Sequence, residues 1–198
     1  MGDLSANFSA AEFAARGANE ADLVRGINFG PAEVPASLVP GLRKFAQTYL
    51  QPIRDAAGVP VYIVPIGRIG AGGYRTESLN RAIGGADDSR HLYDRGHYAA
   101  DIIIGDWDAD KTWFFLLDLI KRGVIPDGGL GYYGPGRKHT HIDNAKPRRW
   151  LGGGATEYPS PTSMAKFGAS LTPVNVALVG AAVAVVAVIV VMVRRWSK

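Results

Sequence analysis

Cysteine is absent from the 198 residues, which excludes a disulfide scaffold and thiolate-bound metals and leaves histidine and carboxylate to build any metal site. Clustered positive charge is also missing. Lys and Arg number 22 against 18 Asp and Glu, but Arg194, Arg195 and Lys198 fall in the last five residues and no acid lies beyond Glu157. Residues 1 to 193 therefore carry 19 basic against 18 acidic groups. A nucleic-acid face needs grouped phosphate-neutralising charge, so no nucleic-acid partner is expected. No secretory signal is expected either, since Asp3 stands where a basic segment belongs and no apolar core follows it. Ala6 breaks the myristoylation pattern that begins Met1-Gly2.

One long apolar run is present. Val176 to Val193 holds 18 residues without charge and ends in Arg194-Arg195-Trp196. As a helix it is about 27 Å long, close to the ~30 Å hydrocarbon core, and Arg and Trp are interfacial anchors. A single C-terminal transmembrane helix within residues 174–198 is expected, making the lipid bilayer a partner. Ala177, Gly180, Ala181 and Ala184 offer a small-residue face for self-association. The basic end favours a cytoplasmic C-terminus, whereas a long N-terminal domain made without a signal favours keeping that domain inside, and the orientation stays open. Residues 152–173 are rich in Gly, Pro, Ser and Thr and read as a linker. Residues 1–151 remain as one folded domain.

Within that domain Ser9-Ala10-Ala11-Glu12 has capping-box spacing, with Phe8 as a staple, so a helix starts near Ser9. Leu38, Leu42, Phe45, Ala46, Tyr49, Leu50 and Ile53 recur at helical steps before Gly58-Val59-Pro60. Val61 to Val64 and Ala99 to Ile104 read as strands, and Lys111 to Arg122 as a helix closed by Gly123. Gly131-Tyr132-Tyr133 and Thr140-His141-Ile142 form a last strand pair around Gly134-Pro135-Gly136. The expected fold is α+β, a small antiparallel sheet with surrounding helices.

Histidines and acids gather in two places, Ser89-Arg90-His91 with Ala99-Ala100-Asp101, and His139-Thr140-His141-Ile142-Asp143. Two His and one Asp suit a tetrahedral zinc that keeps its fourth position for water. Strand alternation puts His139, His141 and Asp143 on one face. His97, four residues before Asp101, competes with His91 for the ligand role.

These pieces occur in a particular order: Phe8 with Glu12-Phe13, Gly73-Tyr74-Arg75, Asn80, Gly84-Gly85, Ser89-Arg90-His91, Ala99-Ala100-Asp101, Gly129-Leu130-Gly131-Tyr132-Tyr133, His141-Ile142-Asp143 and Arg149-Trp150. As a set they resemble the zinc D-alanyl-D-alanine carboxypeptidase and L-alanyl-D-glutamate endopeptidase family of murein peptidases. That family includes phage endolysins and the vancomycin-resistance D,D-peptidases. The resemblance implies a Zn2+ held by His91, Asp101 and His141, a peptidoglycan stem peptide as substrate, and Arg75 and Ser89 as substrate-binding residues.

Many relatives carry a Glu as general base where this chain has Lys138, which leaves His139 and Asp143 as the catalytic candidates; Asp143 serves equally well as a group orienting a ligand imidazole. Asn80 and Gly84-Gly85 read as turn residues, and Tyr132, Tyr133 and Trp150 as wall and core. The expected protein is a membrane-anchored zinc metallopeptidase of the virion membrane, as in a phage lysin, or of the bacterial envelope. The rival reading is an inactive wall-binding or structural membrane protein that keeps the fold.

Overall fold

The computed structural model describes residues 2–14, 33–64 and 72–160, with only the backbone of Arg95. The compact unit Met1–Ser160 contains all of them. The expected transmembrane helix and most of the expected linker lie outside the described residues. Among the described residues no helix is long and apolar enough to cross a membrane.

A short helix α1, Ala10–Phe13, begins at the capping box, where the Glu12 carboxylate accepts the Ser9 backbone N–H at 2.8 Å. The helical periodicity after Pro35 becomes a continuous rod: a 3₁₀ turn Ala36–Leu38, α2 Val39–Phe45, a π segment Ala46–Leu50 and α3 Gln51–Ala57. Pro52 explains the π register, because it has no N–H for the preceding turn and its ring crowds that turn's carbonyl. Gly58, at φ +66°, ends the rod in the left-handed conformation that glycine takes without strain.

Two further helices follow, α4 Glu77–Ala82 and α5 Ala109–Lys121. The caps are side-chain oxygens: Thr76 accepts the Leu79 N–H, and Asp108 accepts the Lys111 N–H. α4 was not expected from the sequence. On α5, Ala109, Thr112, Trp113, Leu116 and Leu119 recur at three- and four-residue steps and are buried.

The strands are β1 Val61–Ile63, β2 Ala99–Ile104, β3 Gly129–Tyr132, β4 Thr140–Asp143 and β5 Arg148–Leu151, in sheet order β1-β2-β4-β3-β5. Three of the four pairings are antiparallel; β3 and β5 run parallel, so the sheet is mixed and not purely antiparallel. The cause is topological. β4 already has β2 and β3 on its two edges, so the chain reverses through residues 144–147 and pairs with the outer edge of β3, which also runs opposite to β4.

One face of the sheet packs Ala100, Ile102, Ile104, Leu130 and Ile142 into the core with Phe45, Leu50, Leu116 and Leu119. Leu116→Ala, at a fully buried position, is expected to cost about 2–5 kcal/mol. Urea unfolding followed by circular dichroism reads that cost as a lower midpoint at unchanged slope. Past β5, residues 152–160 have no regular structure yet lie against the domain, with Tyr158 stacked on Trp113 at a centroid distance of 5.2 Å.

Candidate metal centre

The other face of the sheet carries the chemistry. Register aligns Asp101, His141, Gly131 and Trp150 across β2, β4, β3 and β5, and two residues along it aligns Ala99, Asp143, Gly129 and Arg148. Both glycines are needed there for space. A Cβ on Gly131 would lie 2.6 Å from the Trp150 ring, and one on Gly129 only 2.3 Å from the Asp143 carboxylate. Their absence lets Trp150 reach the His141 ring at 4.8 Å between centroids, and lets Arg148 reach Asp143 at 2.8 Å. The Gly-Leu-Gly of β3 is thus the floor of the site.

His91 comes from a different element, the 3₁₀ turn Arg90–Leu92. Its backbone carbonyl accepts the Arg75 N–H at 2.8 Å, and its Nδ1 lies 2.8 Å from the Gly73 carbonyl. Behind that turn Tyr93 adopts φ +55° and donates its hydroxyl to the Ala99 carbonyl, tying the turn to the start of β2. Asn80 is buried on α4, and its amide donates to the Ala86 carbonyl at 2.8 Å, holding the chain that leads to Ser89. It braces a turn from a helix and does not sit in the turn itself.

His91, Asp101 and His141 meet, all buried. His91 Nε2 and His141 Nδ1 are 3.1 Å apart, and Asp101 Oδ1 lies 3.0 Å from His141 Nδ1 and 3.5 Å from His91 Nε2. The outer nitrogens are spoken for. A carbonyl can only accept, so His91 donates through Nδ1 to Gly73; a carboxylate can only accept, so His141 donates through Nε2 to Asp143 Oδ2 at 3.0 Å. Both inner nitrogens then present lone pairs to each other and to a carboxylate oxygen.

Three acceptors facing one another call for a cation between them. A tetrahedral zinc with bonds of about 2.0–2.1 Å separates its ligands by about 3.3 Å, which these distances approach. The cluster fits a metal site. His97 is not in it, so of the two candidate histidines the structure brings His91 to Asp101 and His141.

Burial disfavours the charge on His91 most, and despite the neighbouring Asp101 its pKa falls to about 4, leaving the imidazole neutral. For His141 burial acts in the same sense, but its contacts with Asp101 and Asp143 outweigh it and raise the pKa. Burial opposes ionisation of Asp101 and Asp143, yet the histidines beside both, with the Ala145 N–H and Arg148 at Asp143, hold both carboxyls below their usual range.

Arg75, Ser89, His91, Tyr133, His141 and Trp150 line a cleft of about 380 Å³. Arg75 reaches Asp101 Oδ2 at 3.3 Å, so it stands at the outer edge of the acceptor cluster. Asp143 is fully buried behind His141. His139 falls one residue before β4, half-buried, with its ring 4.5 Å from Tyr133; burial lowers its pKa. Sequence reasoning missed Arg148, whose guanidinium bonds Asp143 and lies over the Trp150 ring at 4.8 Å. The signal was the Gly129 gap opposite Asp143, which is visible only once the register is known.

Residues 8–143, which span the acceptor cluster, match the family model of Peptidase M15. The chain belongs to the peptidase M15 family. It is accordingly a metallopeptidase in a family of zinc enzymes, and its His-Asp-His cluster fits that metal. No curated protein and no solved structure matches the chain.

Proposed function

We propose that this M15 peptidase is a zinc-dependent peptidoglycan hydrolase cleaving an amide bond of the murein stem peptide or cross-link. The observation that carries it is the convergence of His91 Nε2, Asp101 Oδ1 and His141 Nδ1, each histidine held in the metal-binding tautomer by an outer acceptor. These three residues would hold the zinc, which when bound supplies a Lewis acid for the scissile carbonyl and acidity to water.

The protein's own groups do the rest. Arg75 and Ser89 line the cleft and suit a peptide carboxylate, for which a guanidinium is a two-pronged donor. His139 is the proton carrier: its lowered pKa keeps it neutral near pH 7, with a nitrogen free to accept. Asp143 orients His141 and does not touch the substrate, since it is fully buried.

The apolar stretch Val176 to Val193 supports a membrane-anchored form, in a phage virion or a bacterial envelope, with the domain working on wall within reach of the bilayer.

Incubating the full chain with purified peptidoglycan is expected to release new amino termini, with fragment masses naming the bond. A chelator should silence the reaction, and added zinc restore it. Silence across several wall types with zinc still bound would favour the inactive binding module instead.

A further inference from the structure

We propose that Tyr133 is a catalytic residue whose hydroxyl donates a hydrogen bond to the scissile carbonyl oxygen in the metal cleft. The inference rests on the peptidase reading above and adds to it a residue that neither the metal nor the carboxylate-binding role requires.

Alternation along β3 places Gly129 and Gly131 on the site face, and Tyr133, two residues further, continues that face. Its neighbour Tyr132 turns the other way, buried in the core with its hydroxyl donated to Asp110. The two adjacent tyrosines therefore have opposite fates. Tyr132's hydroxyl is satisfied internally, whereas Tyr133's makes no hydrogen bond among the described residues.

The ring of Tyr133 is nonetheless held. On one side lies His139 at 4.5 Å; on the other, the chain leaving β5 passes against it, with the Gly152 N–H donating to the Tyr132 carbonyl at 2.9 Å. A Cβ on Gly152 would lie 2.7 Å from Tyr133 Cε1, so the slot exists only because residue 152 has no side chain. A phenol fixed this firmly, with a hydroxyl that has no partner among the described residues, is preorganised for a ligand oxygen.

Its position in the cleft agrees. Tyr133 lines the metal cleft with His91, His141 and Arg75, and it also lines a second cavity of about 410 Å³ bounded by Gly134–Arg137 and residues 153–157. It is the one residue common to the two. An extended peptide running from one cavity into the other crosses Tyr133, and the bond being cut lies on the metal side. Arg75 and Ser89 also line the cleft, with Arg75 Nη2 bonded to Asp101 at 3.3 Å. A hydrogen bond that strengthens as the carbonyl oxygen gains negative charge lowers the barrier without tightening ground-state binding.

The test uses the full chain loaded with zinc, a soluble muropeptide substrate, and Tyr133→Phe beside Gly152→Ala. Tyr133→Phe keeps the ring and is expected to lower kcat about 100-fold, the lower end for loss of one such donor, with KM within about threefold and zinc content unchanged. A phosphinate peptide imitating the tetrahedral species should lose affinity by the same factor. Gly152→Ala displaces the ring and should lower kcat in the parent but have little further effect when combined with Tyr133→Phe. Unchanged kcat, a rise confined to KM, or loss of zinc in Tyr133→Phe would overturn the proposal while leaving the peptidase reading in place. A parent protein that holds zinc but cleaves no wall removes both.

Discussion

Replacing His141 with alanine is expected to empty the metal centre and reduce wall cleavage to background. Of the three converging residues His141 is the middle one: its Nδ1 lies 3.1 Å from His91 and 3.0 Å from Asp101, and its Nε2 connects the cluster to Asp143. Losing one ligand of a three-residue site should weaken zinc binding by more than the roughly 10- to 100-fold that loss of a group behind a ligand costs. Zinc content after dialysis, read by atomic absorption beside muropeptide release, checks both effects; a His141→Ala protein holding one zinc per chain would refute the ligand assignment.

The proton balance gives an independent check. His91, near 4, is neutral throughout the physiological range, whereas His141's pKa is raised, so in the metal-free protein its proton competes with the metal up to higher pH. Affinity should accordingly fall about tenfold per pH unit below His141's raised pKa and level off above it. Around pH 6 binding should displace close to one proton and not two, measurable by calorimetry in buffers of different ionisation enthalpy.

Much of this was legible before any coordinates. The capping box Ser9–Glu12, the helical steps from Leu38 to Ile53 and the left-handed stop at Gly58 are local features, and local features set them. Ser89-Arg90-His91, Ala99-Ala100-Asp101 and His141-Ile142-Asp143 pointed to the acceptor cluster through their resemblance to a peptidase family, since residue type alone left His97, His139 and Asp143 open. β5 was hidden because Arg148-Arg149-Trp150-Leu151 lacks alternation, and its parallel partner is fixed by which edges remain free. α4 was hidden because its signal is a single Thr76 cap before six residues of mixed polarity. The choice of His91 over His97 turns on the Gly73 and Arg75 backbone bonds that aim the turn, which no spacing rule contains. The roles of Gly129 and Gly131 are non-local in the same sense: each is small because of what a neighbouring strand places opposite.

The second large effect is expected at Asp143, which touches no substrate. Its carboxylate has no exposed surface and accepts from His141 Nε2, from the Ala145 N–H at 2.9 Å and from Arg148. Asp143→Asn keeps the shape but removes the charge that secures the His141 tautomer, and should cost about 10- to 100-fold in zinc affinity. The same change leaves Arg148 without its anion. Arg148 is exposed, so no buried charge is stranded; what is lost is a charge-assisted hydrogen bond, worth about 1.5–3 kcal/mol, and the low end is expected for the metal-free protein.

The pH dependence separates the two effects. Asp143's pKa is lower folded than unfolded, so its contribution is complete above the unfolded value near 4 and disappears as pH falls through the depressed folded value. The stability gap between parent and Asp143→Asn should be widest near neutrality and close in acid, as read by urea unfolding of chelated protein from about pH 7 to about pH 3. A gap independent of pH would mean that the loss is one of packing alone, and that the carboxylate's charge does not hold His141 in place.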